Sequence, residues 1–440
     1  MKYKIIFKSL FLAIIIMFFG AGISVFAKEG NNKAKDDRVS GQYIVVFKDS
    51  VADVDGTIND LEKKHNATHL NSYHSILKGF AGNISDAEVE KIKKDPRVEF
   101  VSEDRVVNAL GIFESEDQGE HPQSNAKSTS KNTVQILSQT TPTGIKRVNA
   151  TTSTNKGAGV VVAVIDTGIY ASHPDLSGAI LNSGVSCISR TTSNDDNGHG
   201  THVSGTIAGR DNTIGVVGVA PQVKLIPVKV LDRNGSGTWS SVICGIDWVT
   251  ANALKYNIKV ANMSLGGGGT SDNNCGNTNN DALHKAICRS RDAGVTYVVA
   301  AGNDGANAAN SVPASYDDAV ITVSALADSD GLKGGLGAAT PYGPDDTFAT
   351  FSSFGNVVDI GAPGVNIYST WKGGGYATLS GTSMATPHVT GAVALYLNTH
   401  PGSTWTQIRD GLKAIGEGVG SGHTDPGGLH PEKVLNVASL

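Results

Sequence analysis

The chain has 440 residues, room for two to four domains of ~100–200 residues each. With 39% hydrophobic residues, 18% charged residues and 53 glycines, it has the composition of a loop-rich globular protein and not that of a disordered or collagen-like one. The net charge of −5 leaves no basic surplus to neutralise a phosphate backbone, so nucleic acid is not the expected partner.

Lys2, Lys4 and Lys8 precede an apolar run from Leu10 to Phe19 and an end at Val25, Phe26 and Ala27. That order is a secretory signal over residues 1–27, with cleavage after Ala27. The apolar run is short for a membrane span of ~20 residues, and no later segment is apolar enough to span. The expected product is extracellular and has no membrane contact after signal removal.

Charge density then divides the chain. Residues 28–107 hold 13 basic and 15 acidic side chains, whereas residues 141–440 hold only 18 and 22. The first domain, 28–110 with a folded part at about 41–107, alternates strand-like and helix-like runs. QYIVVFK (42–48) is a strand, Thr57 to Lys64 a helix, and ATHLNSYHS and FAGNIS are strands. Ser85 and Glu88 have the spacing of a capping box, and VEFVSED (98–104) closes a βαββαβ unit, a small ferredoxin-like α+β sandwich. Residues 111–140 are rich in Ser, Thr, Gln and Asn and read as a flexible linker.

From 141 to 440, β-branched runs (GVVVAVID, VKLIPVKVL, IKVANMSL, VTYVVAAGN, AVITVSAL) alternate with helical stretches at Thr238 to Ala253, Asn280 to Ala293 and Ser383 to Thr399. Such alternation predicts an α/β fold with a mostly parallel central sheet covered on both faces, three layers in all. Active sites in these sheets gather outside the carboxyl ends of the strands. Four cysteines, Cys187, Cys244, Cys275 and Cys288, allow three pairings. Cys275 in an Asn/Gly loop and Cys288 on the next helix suit a short local bridge, and export permits disulfides.

Polar signatures follow several strands. Asp166 ends VAVID, and His199 and His202 stand at i and i+3 in NGHGTHVSGTIAG. Asn303 follows a strand in AAGND, and Ser383 opens a helix in GTSMATPHV. Each alone reads as a turn, cap or packing residue, and the two histidines lack the further ligands of a zinc site. Together they have a chemical logic. A serine hydroxyl needs an imidazole to take its proton, the imidazole needs a carboxylate to fix its tautomer, and the tetrahedral intermediate needs donors for its oxygen. An α/β-hydrolase esterase is the alternative, but Gly381–Ala385 lacks the second glycine of that nucleophile elbow and the acid precedes the histidine.

VAVIDTG, NGHGTHVSGTIAG, VKVLDRNGSG, NMSLGGG, VVAAGN and SGTSMATPHV, in this order over residues 159–395, resemble the motifs of subtilisin-like serine proteases, in particular the proteinase K and bacterial secreted branches. The resemblance implies a secreted, monomeric endopeptidase of broad specificity acting on proteins and peptides. Asp166 would be the orienting acid, His199 the general base, Ser383 the nucleophile, and Asn303 with the Ser383 N–H the oxyanion donors. Gly235, Ser236 and Gly237 on one side and Ser264, Leu265 and Gly266 on the other would clamp an extended peptide. Ala300, Ala301 and Gly302 would wall an uncharged primary pocket, and Trp239 and Leu265 a second apolar one. Structural calcium would be held by Asp175, the Asn212 side chain and the carbonyls of Arg210, Ile214 and Val216, with a second site at Asp359 near Asp318 and Val320. Residues 41–107 resemble the family's pro-segment, an intramolecular chaperone and inhibitor, and the first cut is expected after Leu110.

Overall fold

A computed structural model describes residues 37–113 and 138–440; residues 1–36, with the signal segment, and residues 114–137 lie outside them. The first described segment runs β1 (Arg38–Phe47), α1 (Val54–His65), β2 (Thr68–Tyr73), β3 (Gly79–Asn83), α2 (Asp86–Ile92) and β4 (Val98–Ala109), followed by a short β5 (Ile112–Phe113). Successive residues of β1 point to opposite faces, as strand geometry requires. Val45 and Phe47 pack with Ile58, Leu61 and Ile92 of α1 and α2. Ile44 and Val46 face the other way, into a core shared with the large domain. The sheet of this small domain is thus covered by its own helices on one side and by the rest of the protein on the other.

One expectation fails here. Ser85 is the residue before α2, but its side chain makes no cap hydrogen bond. The Glu88 carboxylate instead meets His65 Nδ1 at 2.7 Å and Lys91 Nζ at 2.6 Å, partners that outbid the backbone N–H a capping box would need.

The large domain contains α3 (Thr143–Arg147), β6 (Val161–Asp166), β7 (Val185–Ser186), α4 (His199–Ala208), β8 (Lys224–Lys229), β9 (Ser236–Thr238), α5 (Trp239–Tyr256), β10 (Ile258–Met263), β11 (Leu265–Gly268), α6 (Ala282–Asp292) and β12 (Thr296–Ala300). It continues through β13 (Ser311–Val312), β14 (Val320–Ala327), β15 (Thr347–Phe348), β16 (Ile360–Pro363), β17 (Ile367–Thr370), β18 (Tyr376–Ser380), α7 (Thr382–Thr399), α8 (Trp405–Ile415) and β19 (Lys433–Val434). The central sheet has the order β19-β16-β14-β12-β10-β6-β8-β7 with β15 beside β14, and every pairing in it except β14–β15 is parallel. Its strands are buried along almost their whole length, which explains their continuous apolar runs. One core lies between the sheet and α4, α7 and α8; the other lies under α5 and α6.

Two disulfides, Cys187–Cys244 and Cys275–Cys288, close the four cysteines into the local pairing expected and its complement. Among the described residues no helix is long and apolar enough to cross a membrane.

Candidate active site

Asp166 is the last residue of β6, where the strand leaves the sheet, and its carboxylate faces the first turn of α4. His199 Nδ1 lies 2.9 Å from Asp166 Oδ1 and 3.0 Å from Oδ2. Two small features bring them together. A Cβ on Gly200 would stand 2.2 Å from the Gly168 carbonyl, so only glycine lets α4 approach this closely. Asp195, which the sequence reading did not single out, ties down the entry to α4. It accepts from Gly198 N, Asn197 N, Thr201 N and the hydroxyls of Thr167 and Thr201. Burial alone would push the His199 pKa down, but the adjacent Asp166 carboxylate outweighs it and the net shift is upward. His202 is held by Ile367 O and Ala377 O and pushed down to about 3, chiefly by burial; His388, bonded to Met384 O, is pushed to about 4 for the same reason. Both rings are fully buried and bonded to backbone carbonyls.

Ser383 is the second residue of α7. Pro387 within that helix lacks an N–H, so the carbonyl of Ser383 four residues earlier has no helical donor. The Ser264 hydroxyl takes that place at 2.9 Å, and Asn262 Nδ2 approaches Ser264 Oγ at 3.0 Å. Asn262 Oδ1 in turn accepts from Thr390 on α7. The end of β10 and the start of α7 are therefore fixed to each other by side chains that surround the nucleophile. Asn303 is oriented from the same helix: its Oδ1 accepts from Thr382 N at 2.9 Å and Thr382 Oγ1 at 2.8 Å, which turns Nδ2 outward as a donor.

The chain's own segment Val106–Phe113 occupies the cleft between these groups. Val106, Val107 and Asn108 pair antiparallel with Thr238, Gly237 and Ser236, while Asn108 and Ala109 pair with Gly266 and Leu265. The segment is a third strand between two edges, and Ala109 N also donates to Gly235 O at 2.8 Å. Val107 is fully buried in a cluster containing Trp239 and Leu265. Leu110 Cδ1 reaches the spot, 3.1 Å away, where a Cβ on Gly266 would stand. Leu110 N donates to Ser383 Oγ at 3.1 Å, and Asn303 Nδ2 donates to Leu110 O at 2.6 Å. A Cβ on Gly381 would lie 2.4 Å from that same carbonyl oxygen, and one on Gly111 3.3 Å from His199 Nε2. Beyond the bond, Ile112 and Phe113 pair with Ser380 and Leu379. The Leu110–Gly111 peptide bond thus lies across Ser383, His199 and Asn303.

One pair is not joined: the Ser383 hydroxyl donates to Ser264 O at 2.9 Å, and His199 Nε2 is buried with no partner among the described residues. Ala300, the last residue of β12, and Ala301 are fully buried, and Gly302, which precedes Asn303, adopts φ +114°.

The calcium expectations separate. Asp175 is fully buried, and no Lys, Arg or His pairs with it among the described residues; the Arg210 guanidinium turns to the carbonyls of Pro221 and Ser177. Burial pushes its pKa up to about 6 against donors from Val216 N, Asn212 Nδ2 and Tyr376. A Cβ on Gly215 would stand 2.4 Å from Asp175 Oδ2. A fully buried carboxylate held by donors but without a counter-charge among the described residues fits a hard cation. Gln139, read from sequence as linker, joins this loop, its Oε1 accepting from Asn212 N at 2.8 Å, while Ser138 and Thr140 bridge to Ile214 and Val216. Asp359, the second expected ligand, fits a cation poorly because it already has basic partners. Its carboxylate is neutralised by Lys413 at 3.1 Å, with Arg409 at 3.8 Å, and the Asp318 carbonyl is taken by Arg291.

Comparison with known proteins gives the arrangement its relatives. Residues 157–415 match the Subtilase family model, and residues 42–110 match Peptidase inhibitor I9. The chain is 43% identical over 301 residues to a thermostable alkaline protease of Halalkalibacterium halodurans, covering 68% of this chain and 74% of that protein. It is 33% identical over 431 residues to subtilisin NAT of Bacillus subtilis subsp. natto, covering 96% of each. A crystal structure of a cold adapted subtilisin-like serine proteinase superposes with a TM-score of 0.55 at 36% identity, covering 67% of this chain and 97% of that one.

Proposed function

The chain belongs to the subtilase family and carries an I9 inhibitor domain, and from that premise we propose that it is a secreted, calcium-stabilised protease of broad specificity that matures by cutting itself after Leu110. That it is a serine endopeptidase made as a zymogen follows from the family. The observation that supports self-cleavage after Leu110 is the Leu110–Gly111 bond lying across Ser383, His199 and Asn303.

The chemistry follows from these positions. The Ser383 hydroxyl swings from the Ser264 carbonyl to His199 Nε2 and gives up its proton there, while its oxygen attacks the carbonyl carbon of Leu110. Charge on the Leu110 oxygen is met by Asn303 Nδ2 and the Ser383 N–H. Asp166 keeps the other imidazole proton on Nδ1 and stabilises the imidazolium. His199 then protonates the nitrogen of Gly111, the carbon–nitrogen bond breaks, and water activated by His199 releases the Leu110 carboxylate from Ser383.

The main-chain clamp of Gly235–Gly237 and Ser264–Gly266 accepts many sequences, and the uncharged walls at Gly266 and Ala300–Gly302 favour apolar residues before the cut. Trp239 and Leu265 select a further apolar side chain where Val107 now sits. Calcium would be held by Asp175, Asn212 and the carbonyls of Arg210, Ile214 and Val216, with Gln139 a further oxygen; it would supply local charge balance and no step of the reaction. Residues 1–27 serve as signal, 28–110 as pro-domain, 111–140 as linker and 141–440 as the catalytic domain, with Ser138–Thr140 attached to the latter.

Casein hydrolysis with and without a serine-directed phosphonyl reagent tests the reading. Activity should vanish with one equivalent of reagent, and cleavage of peptide mixtures should favour apolar and aromatic residues before the cut. Activity untouched by the reagent, or confined to Lys and Arg, overturns it.

A further inference from the structure

Between β14 and β15 the chain makes a long excursion, residues 328–346, rich in glycine and acid. Asp328, Asp330 and Asp345 each offer one carboxylate oxygen there, and these oxygens lie within 4.8 Å of one another. Asp328 is only 1% exposed and Asp345 only 5%. Three like charges so close in a buried place repel one another strongly unless a cation or protons intervene. Among the described residues none of the three has an ion pair. The buried cation nearby, Arg147, is committed to Asp346 at 2.6 Å and Glu417 at 2.9 Å.

Backbone donors account for most of the oxygens. Gly331 N donates to Asp328 Oδ1 at 3.0 Å, Leu332 N to Asp330 Oδ1 at 2.7 Å, and Ser329 N and Gly337 N to the two oxygens of Asp345 at 2.8 Å each. Asp328 Oδ2 is different. It is buried and has no partner among the described residues, a condition that native structures avoid because an unsatisfied buried acceptor costs about 1–3 kcal/mol, more if charged.

We infer that Asp328, Asp330 and Asp345 form a binding site for a hard divalent cation, calcium, distinct from the Asp175 loop. The donor set is all oxygen, without the nitrogen or sulfur that zinc or copper prefer. Oxygens on opposite sides of a calcium ion bound at about 2.4 Å stand about 4.8 Å apart, so the three carboxylates need no large movement to share one ion. Gly331, Gly334 and Gly335, all at positive φ, let the loop fold back on itself. An ion there would anchor the excursion to the end of β14, beside the Arg147–Asp346–Glu417 network.

The test uses the full precursor with Ser383→Ala, to prevent autolysis, stripped with chelator and titrated with calcium by calorimetry and equilibrium dialysis. Asp330→Asn is isosteric, and Asp330 is the partly exposed member of the trio, so folding should survive; circular dichroism and the melting temperature in chelator should match the parent. It should remove one bound calcium per chain, or raise that site's Kd at least tenfold. With Asp175→Asn in place of Asp330→Asn, one calcium should still bind and still raise the melting temperature. Unchanged stoichiometry and affinity in Asp330→Asn, or loss of all calcium binding in Asp175→Asn with the fold intact, overturns the site. Neither readout depends on peptidase activity, so this inference can fail while the protease reading stands.

Discussion

Pro387 removes a single donor from α7, and the repair by Ser264 and Asn262 is what fixes the nucleophile against β10. Ser383→Ala and His199→Ala should each abolish nearly all peptidase activity while leaving the melting temperature within a few degrees. The double variant should be hardly worse than either, since members of a proton relay act as a unit; additive losses would refute a shared mechanism. Thr382→Val keeps the backbone donor to Asn303 but deletes the hydroxyl one. It should lower kcat roughly tenfold with little change in KM, less than the ~10²–10³ of losing an oxyanion donor outright, and a change confined to KM would contradict the orienting role. The pH profile carries a sign. His199 works only when Nε2 is unprotonated, and the Asp166 carboxylate holds its pKa above the ordinary ~6.5 despite burial. Activity should therefore rise with pH along a limb centred above ~6.5, and Asp166→Asn should move that limb down while cutting the rate. A limb below 6, or maximal rate near pH 4, would contradict the assignment. The sequence singles out Asp166, His199, Ser383 and Asn303 because together they supply the acid, base, nucleophile and oxyanion donor of one reaction, though none is distinctive alone. It does not single out Asp195, Gly381 and Thr382, because their work is to cap, clear space and orient, and nothing marks such tasks until the chain is folded.

At the scale of elements, strands and helices followed from hydrophobic period and β-branching, and the parallel sheet from their alternation. The failures were local choices between partners. Glu88 preferred His65 and Lys91 to a cap, and Asp359 found Lys413 and Arg409, residues far away in sequence. The last strand of the pro-domain also runs further than its apolar pattern suggested, because β9 and β11 supply pairing that the small domain alone could not. One contact ties this strand to α5. Asp104 is fully buried and accepts from Ser240 N at 3.0 Å and Ser240 Oγ at 2.6 Å in the first turn of that helix, where unpaired N–H groups and the helix dipole favour an anion. Hydrogen bonds to a charged group contribute about 1.5–3 kcal/mol. Asp104→Ala should accordingly weaken the hold of the cleaved pro-domain by about 10- to 100-fold, read as earlier appearance of free activity after processing. Unchanged timing would mean that β-pairing alone sets the affinity.

At the scale of the whole molecule, the small domain is a lid held by three devices: its sheet face against α5 and α6, the Asp104 contact, and the strand that ends in the active site. Chelation should lower the melting temperature and speed autolysis, and Asp175→Asn should do the same, because an ion bound only to the folded state stabilises by mass action. An identical melting curve in chelator would dispose of both cation sites. The described parts of the linker already belong to other structures, Ile112–Phe113 to β18 and Ser138–Thr140 to the Asp175 loop, which composition could not reveal since both segments are only two or three residues long. The placement of the Leu110–Gly111 bond has a kinetic corollary. A bond that is already seated needs no encounter, so the first cut should be first-order in precursor and its half-time the same at nanomolar and micromolar protein. Trimming within residues 111–140 should need a second molecule and slow in proportion to dilution. Dilute wild-type precursor should therefore halt as a two-fragment complex whose larger piece begins at Gly111, a species that concentrated samples pass through too quickly to isolate; a first cut that slows on dilution would show that the bond is severed in trans.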